Sequence, residues 1–387
     1  MKSSTTDAIA ILERLVGYKT ISALTNLDII SYIENYLKDH GIEAHLSYDD
    51  SGERANIHAM IGPSVSGGVV LNGHTDVVPV EGQVWSSDPF VLKQHNGRLQ
   101  GRGSVDMKGF LACMLAAVPM WKQKPLQRPI HISMCYDEEI GGFGAPVLVE
   151  NIGKTVPKPA IAIVGEPTGM QIVTGHKGGN EMRTEITGLE AHSSDPRKGV
   201  SAIYYATAFI SYLYGLAEEY KNAPHTDSPY DPPYTTLSVG TIHGGAATNI
   251  IAGHCDFDWE FRLLPGEDGD KLLKQITDYA MNDLLPQMRQ HYPQADIKII
   301  TQAEVPGLDH KSADLAARLI SDITGLNSSG VVSFATDAGH FCNADISTVV
   351  FGPGSINQAH KPDEYIEISQ IEACMTFFNK LGDHLSK

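Results

Sequence analysis

The stretch VVLNGHTDVVP, Val69 to Pro79, reads as a buried β-strand that stops in a polar turn. Val69, Val70 and Leu71 supply the apolar run, and His74 and Asp76 follow at its end. Strand side chains alternate between faces, so residues two apart point the same way. A histidine and a carboxylate are thereby aimed in one direction where the chain leaves the core. Alone, such a pair says little, because most strand-end histidines are ordinary hydrogen-bonded residues.

The pattern recurs along the chain. GRGSVDMKGF places Asp106 in a glycine-rich turn directly before a helix, and ISMCYDEEIGGFG ends an apolar run in Asp137, Glu138 and Glu139. AIAIVGEPT ends another in Glu166, and GPGSINQAHKPDEYI follows the apolar run at Val350 and carries His360. Strands are expected around 55–61, 69–72, 130–136 and 160–164, with a helix over about 107–122 between two of them. Strands alternating with helices predict a mainly parallel sheet between helix layers. Ligands of open α/β sheets bind beyond the carboxyl ends of the strands. His74, Asp76, Asp106, Glu138, Glu139, Glu166 and His360 are all expected there. So many acids would repel one another unless cations were bound among them. Imidazole and carboxylate donors without cysteine suit Zn²⁺, Co²⁺ or Mn²⁺, and two ions can share one carboxylate.

The middle of the chain differs. It reads as strand (175–188), helix (200–220), strand (235–243), strand (255–263), helix (268–291) and strand (296–302). That order is the βαββαβ, ferredoxin-like unit. Helix and strand signals like those of the first part resume afterwards, with a closing helix from Ser369. The expected organisation is therefore an α/β domain of residues 1–174 and 303–387 interrupted by an inserted domain, 175–302.

Composition narrows the function classes. At 387 residues the chain exceeds what one core usually supports. A formal net charge of −17 argues against a nucleic-acid partner. The five cysteines are odd in number and contain no CxxC pair, which fits reduced thiols and a cytoplasmic setting. Asp7, Glu13 and Arg14 interrupt the first apolar segment, so it reads as an amphipathic helix and not a signal peptide. No apolar run is long enough to span a membrane.

GHTDVVP, GRGSVDMKGF, DEEIGG, GEPT, AHSS and GPGSINQAHKPDEYI resemble the metal-dependent amidohydrolases of the aminoacylase and carboxypeptidase superfamily, the M20 peptidase family. Within it, the motifs resemble those of the bacterial acetylornithine deacetylases. The resemblance covers nearly the whole chain. It implies a zinc-peptidase-like catalytic domain, with the insertion serving as lid and dimerisation domain. It implies that His74, Asp106 and Glu166 hold one metal and that Asp106, Glu139 and His360 hold the other, the pair being Zn²⁺ or Co²⁺. Asp76 would fix the His74 tautomer, and Glu138 would be the general base and acid. His192, in the insertion, would stabilise the oxyanion across a homodimer. Asn249 and Arg262 would hold a substrate carboxylate, and the turn at Gly354 would bring backbone N–H groups to the ligand. Lys108 and Lys177 read equally as acid-binding or solvated lysines. A proline common in relatives is replaced by Ala252.

The implied activity is removal of the acetyl group from N²-acetyl-L-ornithine. Alternatives within the family are deacetylation of acetylcitrulline or other N-acyl amino acids, and succinyl-diaminopimelate desuccinylation. The last is disfavoured by AHSSDPRKG. A non-catalytic ligand-binding relative would be expected to have lost the base or ligands, all of which are present here.

Overall fold

The computed structural model describes residues 2–387, and the chain divides into two compact units. The larger comprises the chain up to His176 together with Leu308–Lys387; the smaller is Lys177–Gly307.

The larger unit is built on an eight-stranded sheet. From edge to edge it runs Ala44–Tyr48, Ala55–Ile61, Ile130–Cys135, Val69–His74, Ile161–Val164, Ser347–Val350, Ile172–His176 and Ser329–Val332. The strands from Ile130–Cys135 through Ser347–Val350 pair in parallel. The first two pairings and that of Ser347–Val350 with Ile172–His176 are antiparallel. Val69–His74 and Ile130–Cys135 are buried along their whole length. They therefore lack the polar–apolar alternation of a half-solvated strand. The helix Lys108–Lys122 is buried nearly all round and packs against Lys2–Gly17, Ile368–His384 and the sheet. A separate three-stranded sheet pairs Arg98–Gln100 with Lys93–His95 and with Tyr365–Glu367. That pairing joins the segment before Asp106 to the segment after His360.

The smaller unit is a four-stranded antiparallel sheet in the order Thr236–Gly244, His254–Arg262, Gly179–Thr187, Asp296–Val305. Its helices follow Gly179–Thr187 and His254–Arg262 in the chain, which gives the βαββαβ order. Buried and less buried positions alternate along Gly179–Thr187, as expected when one face is packed and the other wet. Phe209, Phe257, Trp259, Phe261 and Ile276 form the centre of its core.

Two sequence expectations are corrected. The strand expected over 175–188 is two strands: Ile172–His176 ends in the large sheet, and Gly179–Thr187 begins in the small one. The insertion ends at Gly307 and not at 302, because its last strand continues to Val305. The helix expected over 268–291 runs from Gly269 to His291, with a π-helical stretch at Ala280–Leu284 just before Pro286. The strand Ala44–Tyr48 and the short helices Gly144–Asn151 and Ala338–Asn343 had no expectation. Among the described residues no helix is long and apolar enough to cross a membrane.

Candidate metal centre

Parallel pairing puts the carboxyl ends of the central strands along one edge of the sheet. His74 is the last residue of its strand, Glu138 and Glu139 form a short turn after Ile130–Cys135, and Glu166 follows Ile161–Val164. Asp106 enters from the turn before Lys108–Lys122, through a cis Asp106–Met107 peptide bond.

The side chains converge. His74 Nε2 lies 3.1 Å from Asp106 Oδ1, 3.7 Å from Glu166 Oε1 and 4.0 Å from Glu138 Oε2. His360 Nε2 lies 2.8 Å from Glu139 Oε2 and 3.3 Å from Asp106 Oδ2. Asp106 thus presents one oxygen to each histidine. Ligand atoms of His74, Asp106 and Glu139 fall within 4.8 Å of one another, as do those of His74, Glu138 and Glu166.

The electrostatics call for a cation. Burial, with the neighbouring charges of Glu166, Asp337 and Glu139, pushes the Glu138 carboxyl well up, against the pull of His74. Burial and Asp106 do the same to Glu166 and raise Glu139 to about 7. Burial opposes charge on His74, but bonds to Asp106 and Asp76 outweigh it and raise its pKa well above the ordinary value. Bonds to Asp106 and Glu139 carry His360 up to about 10. Protons are the only positive charge this cluster can gather by itself. Glu166 Oε1 is buried with no hydrogen-bond partner among the described residues. An orphaned buried oxygen in a set of nitrogen and oxygen donors fits a divalent metal.

Asp76 holds the site in a way that spacing alone did not reveal. His74 Nδ1 meets the main-chain carbonyl of Asp76 at 3.0 Å, and the Asp76 carboxylate stands at 3.5 Å. That carboxylate accepts from Ser22 Oγ at 2.7 Å and from the backbone N–H groups of Glu138 and Glu139 at 3.1 and 3.3 Å. One side chain therefore orients a histidine and pins the turn bearing two acids.

The remaining expected residues are placed as follows. His192 is exposed in the smaller unit, its Nδ1 2.7 Å from Ser194 Oγ. Its loop is tied to Asn249 through Ser193 N–H donating to the Asn249 carbonyl at 3.0 Å. Arg262 gives both arms of its fork to Glu260, at 2.8 and 3.2 Å. In the turn at Gly354, the Gly354 N–H donates to Gln370 Oε1 at 2.9 Å and that of Gly352 to Thr168 Oγ1 at 3.2 Å. Gly354 holds φ +91° and a Cβ there would lie 2.3 Å from Val105; glycine is required by crowding. Lys108 is fully buried on the carbonyls of Leu15 and Tyr18, and Lys177 donates to the Tyr234 carbonyl.

Two groups escaped sequence reasoning. Asp337 is buried, takes the Cys135 thiol at 2.8 Å and is pushed up to about 6 by burial. Arg102 and Glu364 form an ion pair of 2.8 Å, each 1 % exposed. Arg102 and Glu364 lie inside quoted motifs, but neither closes an apolar run nor stands directly before a helix.

A family model described as peptidase family M20/M25/M40 matches residues 70–384. Solved structures agree in fold. The aminopeptidase PepT from Bacillus cereus superposes with a TM-score of 0.71 at 21% identity, over 99% of this chain and 99% of its own. An M20 family metallo-carboxypeptidase from Sulfolobus solfataricus, Sso-CP2, gives 0.75 at 18%, over 98% and 99%. The YXEP protein of Bacillus subtilis, described as a dinuclear metal binding peptidase of the M20 family, gives 0.65 at 14%, over 99% and 98%.

Proposed function

The chain belongs to peptidase family M20/M25/M40, and from that premise we propose that it hydrolyses the amide bond of N-acyl amino acids, N²-acetyl-L-ornithine first among them. The observation that carries the reading is the convergence of His74, Asp106, Glu166, His360 and Glu139, the first three buried and His360 exposed at the rim, with Glu138 beside them. In this proposal His74, Asp106 and Glu166 would hold one divalent ion and Asp106, Glu139 and His360 a second. Zinc or cobalt suits the donors, with manganese an alternative. When bound, such ions polarise a scissile carbonyl and make water a nucleophile at neutral pH.

Glu138 takes the proton from the attacking water and returns it to the departing amine. Asp76 keeps both His74 and the Glu138 turn in place. Arg262 and Asn249 receive the substrate carboxylate, which requires Arg262 to exchange its Glu260 partner for the ligand. His192 stabilises the oxyanion, supplied by a second copy of the chain. Homodimer formation is supported by the exposed edge strand Thr236–Gly244, bearing Ile242, and by exposed Tyr204 and Tyr214 on the helix Ala202–Asn222. Unpaired sheet edges are templates for association. Free thiols at Cys113, Cys135, Cys255, Cys342 and Cys374 support cytoplasmic residence.

A second reading is dipeptide hydrolysis, favoured by neighbours described as an aminopeptidase and a carboxypeptidase. One experiment separates the two. Amine release is measured from a panel of N-acetyl and N-succinyl amino acids and of dipeptides, with Zn²⁺, Co²⁺ or a chelator. Turnover confined to acetylated amino acids and abolished by chelation is the expected outcome. Activity on dipeptides alone would replace the deacetylase reading, and full turnover by metal-free protein would end both.

A further inference from the structure

The Glu364 carboxylate, buried in the larger unit, has four donors. Oε2 accepts from Arg102 Nη1 at 2.8 Å and from Gly103 N–H at 3.0 Å. Oε1 accepts from the N–H groups of Val105 at 2.9 Å and Asp106 at 3.2 Å. The glycine-rich turn is thus wrapped around an internal anion, in the manner of the backbone concavities that bind phosphate. Its shape, and with it the position of Asp106, is set by a charge from a distant part of the chain.

Arg102 extends the hold in the other direction. Its Nη2 donates to Gln83 Oε1 at 2.6 Å, and Gln83 Nε2 donates to the His360 carbonyl at 2.9 Å. Trp85 lies over the guanidinium at 5.0 Å and donates its indole N–H to the same Gln83 oxygen at 3.1 Å. His360 itself holds φ +62°, a region disfavoured for residues with a side chain. Its backbone needs an outside restraint, and Gln83 supplies one. The three-stranded sheet brings the two loops together, with Tyr365 opposite Gln100.

His74 and Glu166 are held otherwise. His74 leans on the Asp76 carbonyl, and both follow strands of the large sheet. We infer that Arg102 and Glu364 form a positioning pair for the metal centre: Glu364 sets Asp106, which both metal positions share, and Arg102, through Gln83, sets His360, which serves only one, while His74 and Glu166 are held by the sheet. The inference rests on the metallohydrolase reading and adds an asymmetry to it: both metal positions depend on Glu364, and only one on Gln83.

The test titrates metal-free, full-length protein with Co²⁺, followed by visible absorption and calorimetry. His360→Ala identifies which binding step belongs to the His360 half. In Gln83→Ala that same step should weaken by about 10- to 100-fold, the usual effect of removing an outer support, while the other stays near wild type. In Glu364→Gln both steps should weaken, because Asp106 serves both. Gln83 is only partly buried on a loop, so its variant reads the His360 arm even if Glu364→Gln does not fold. Equal weakening of both steps in Gln83→Ala, or a fall in thermal midpoint with neither step changed in either variant, would make the pair merely structural and overturn the inference. Wild-type protein that takes up no cobalt would sink the metallohydrolase reading as well; two wild-type steps with unmoved variants would sink this inference alone.

Discussion

Replacing His58 and His131 together with leucine should remove much of the larger unit's sensitivity to mild acid. The two imidazoles sit on adjacent strands, 4 % and 0 % exposed, with rings stacked at 5.3 Å and His58 Nε2 3.2 Å from His131 Nδ1. Burial, then the neighbouring His131 and His45, hold His58 down at about 3; burial holds His131 at about 4. Both values lie below the ordinary histidine value of about 6.5. The folded protein therefore keeps the pair neutral while the unfolded chain takes up protons as the pH falls below about 6.5. Stability is present above that pH and drains away toward the folded values near 4 and 3. Between pH 7 and pH 5 the linkage is about 2 kcal/mol for each histidine, and so about 4 kcal/mol for the pair. Leucine is of similar bulk, and His131 Nε2 has no hydrogen-bond partner among the described residues. Replacing both partners by apolar groups should therefore cost little at pH 7. Urea unfolding of the metal-free proteins at pH 7 and pH 5 reads the effect without metal release intervening. Wild type should lose about 4 kcal/mol more than the double variant over that interval. Parallel losses in the two proteins would refute the reasoning, because the pair would then titrate alike folded and unfolded.

Other outcomes follow from the site. Glu138→Gln should keep its metals, measured by elemental analysis, while kcat falls by about 10²–10⁴; a variant within a few-fold of wild type would remove Glu138 from proton transfer. Arg262→Ala should lower kcat/KM for the free acid strongly with metal content intact, and equal turnover of amide-capped and free substrates would show that no carboxylate clamp exists. His192→Ala and Glu138→Ala proteins should each be nearly inactive alone yet recover activity when unfolded and refolded together, since a hybrid dimer has one site with both groups. Hybrids that form but stay inactive would mean that His192 acts within its own chain or not at all.

Much of this architecture was visible in the chain because burial and chemistry coincide at strand ends. His74 and Glu166 announce themselves by closing apolar runs, and GRGSVDMKGF marks Asp106 by glycine followed by helix. Arg102 and Glu364 did not, although both stand in quoted motifs. Their meaning depends on the pairing of Arg98–Gln100 with Tyr365–Glu367, a contact between segments far apart in sequence that no local period encodes. Asp337 has the same history, since its thiol partner Cys135 lies on another element. The break between the two strands near His176 did leave a trace, glycines at 178 and 179, but apolar residues on both sides masked it. Gly354 is ambiguous in sequence for a different reason. Glycine signals a close approach or a positive φ, and only the packing shows that both hold here, the approach being to Val105.

The place where the smaller unit leaves the larger has a bearing on the order of folding. His176 and Leu308 exchange backbone hydrogen bonds, N–H to carbonyl, at 3.2 and 2.9 Å. To the larger unit everything between them is a single loop. Left unstructured, a loop of roughly 130 residues would cost about 4 kcal/mol of closure entropy. The smaller unit removes most of that cost itself, because its first and last strands pair Gly179 with Val305 and deliver the two ends side by side. During synthesis it can close before Leu308 and the later strands Ser329–Val332 and Ser347–Val350 have emerged. A lesion confined to its core, at Phe209 or Phe257, would then slow completion of a sheet it does not belong to, by keeping that sheet's two halves apart.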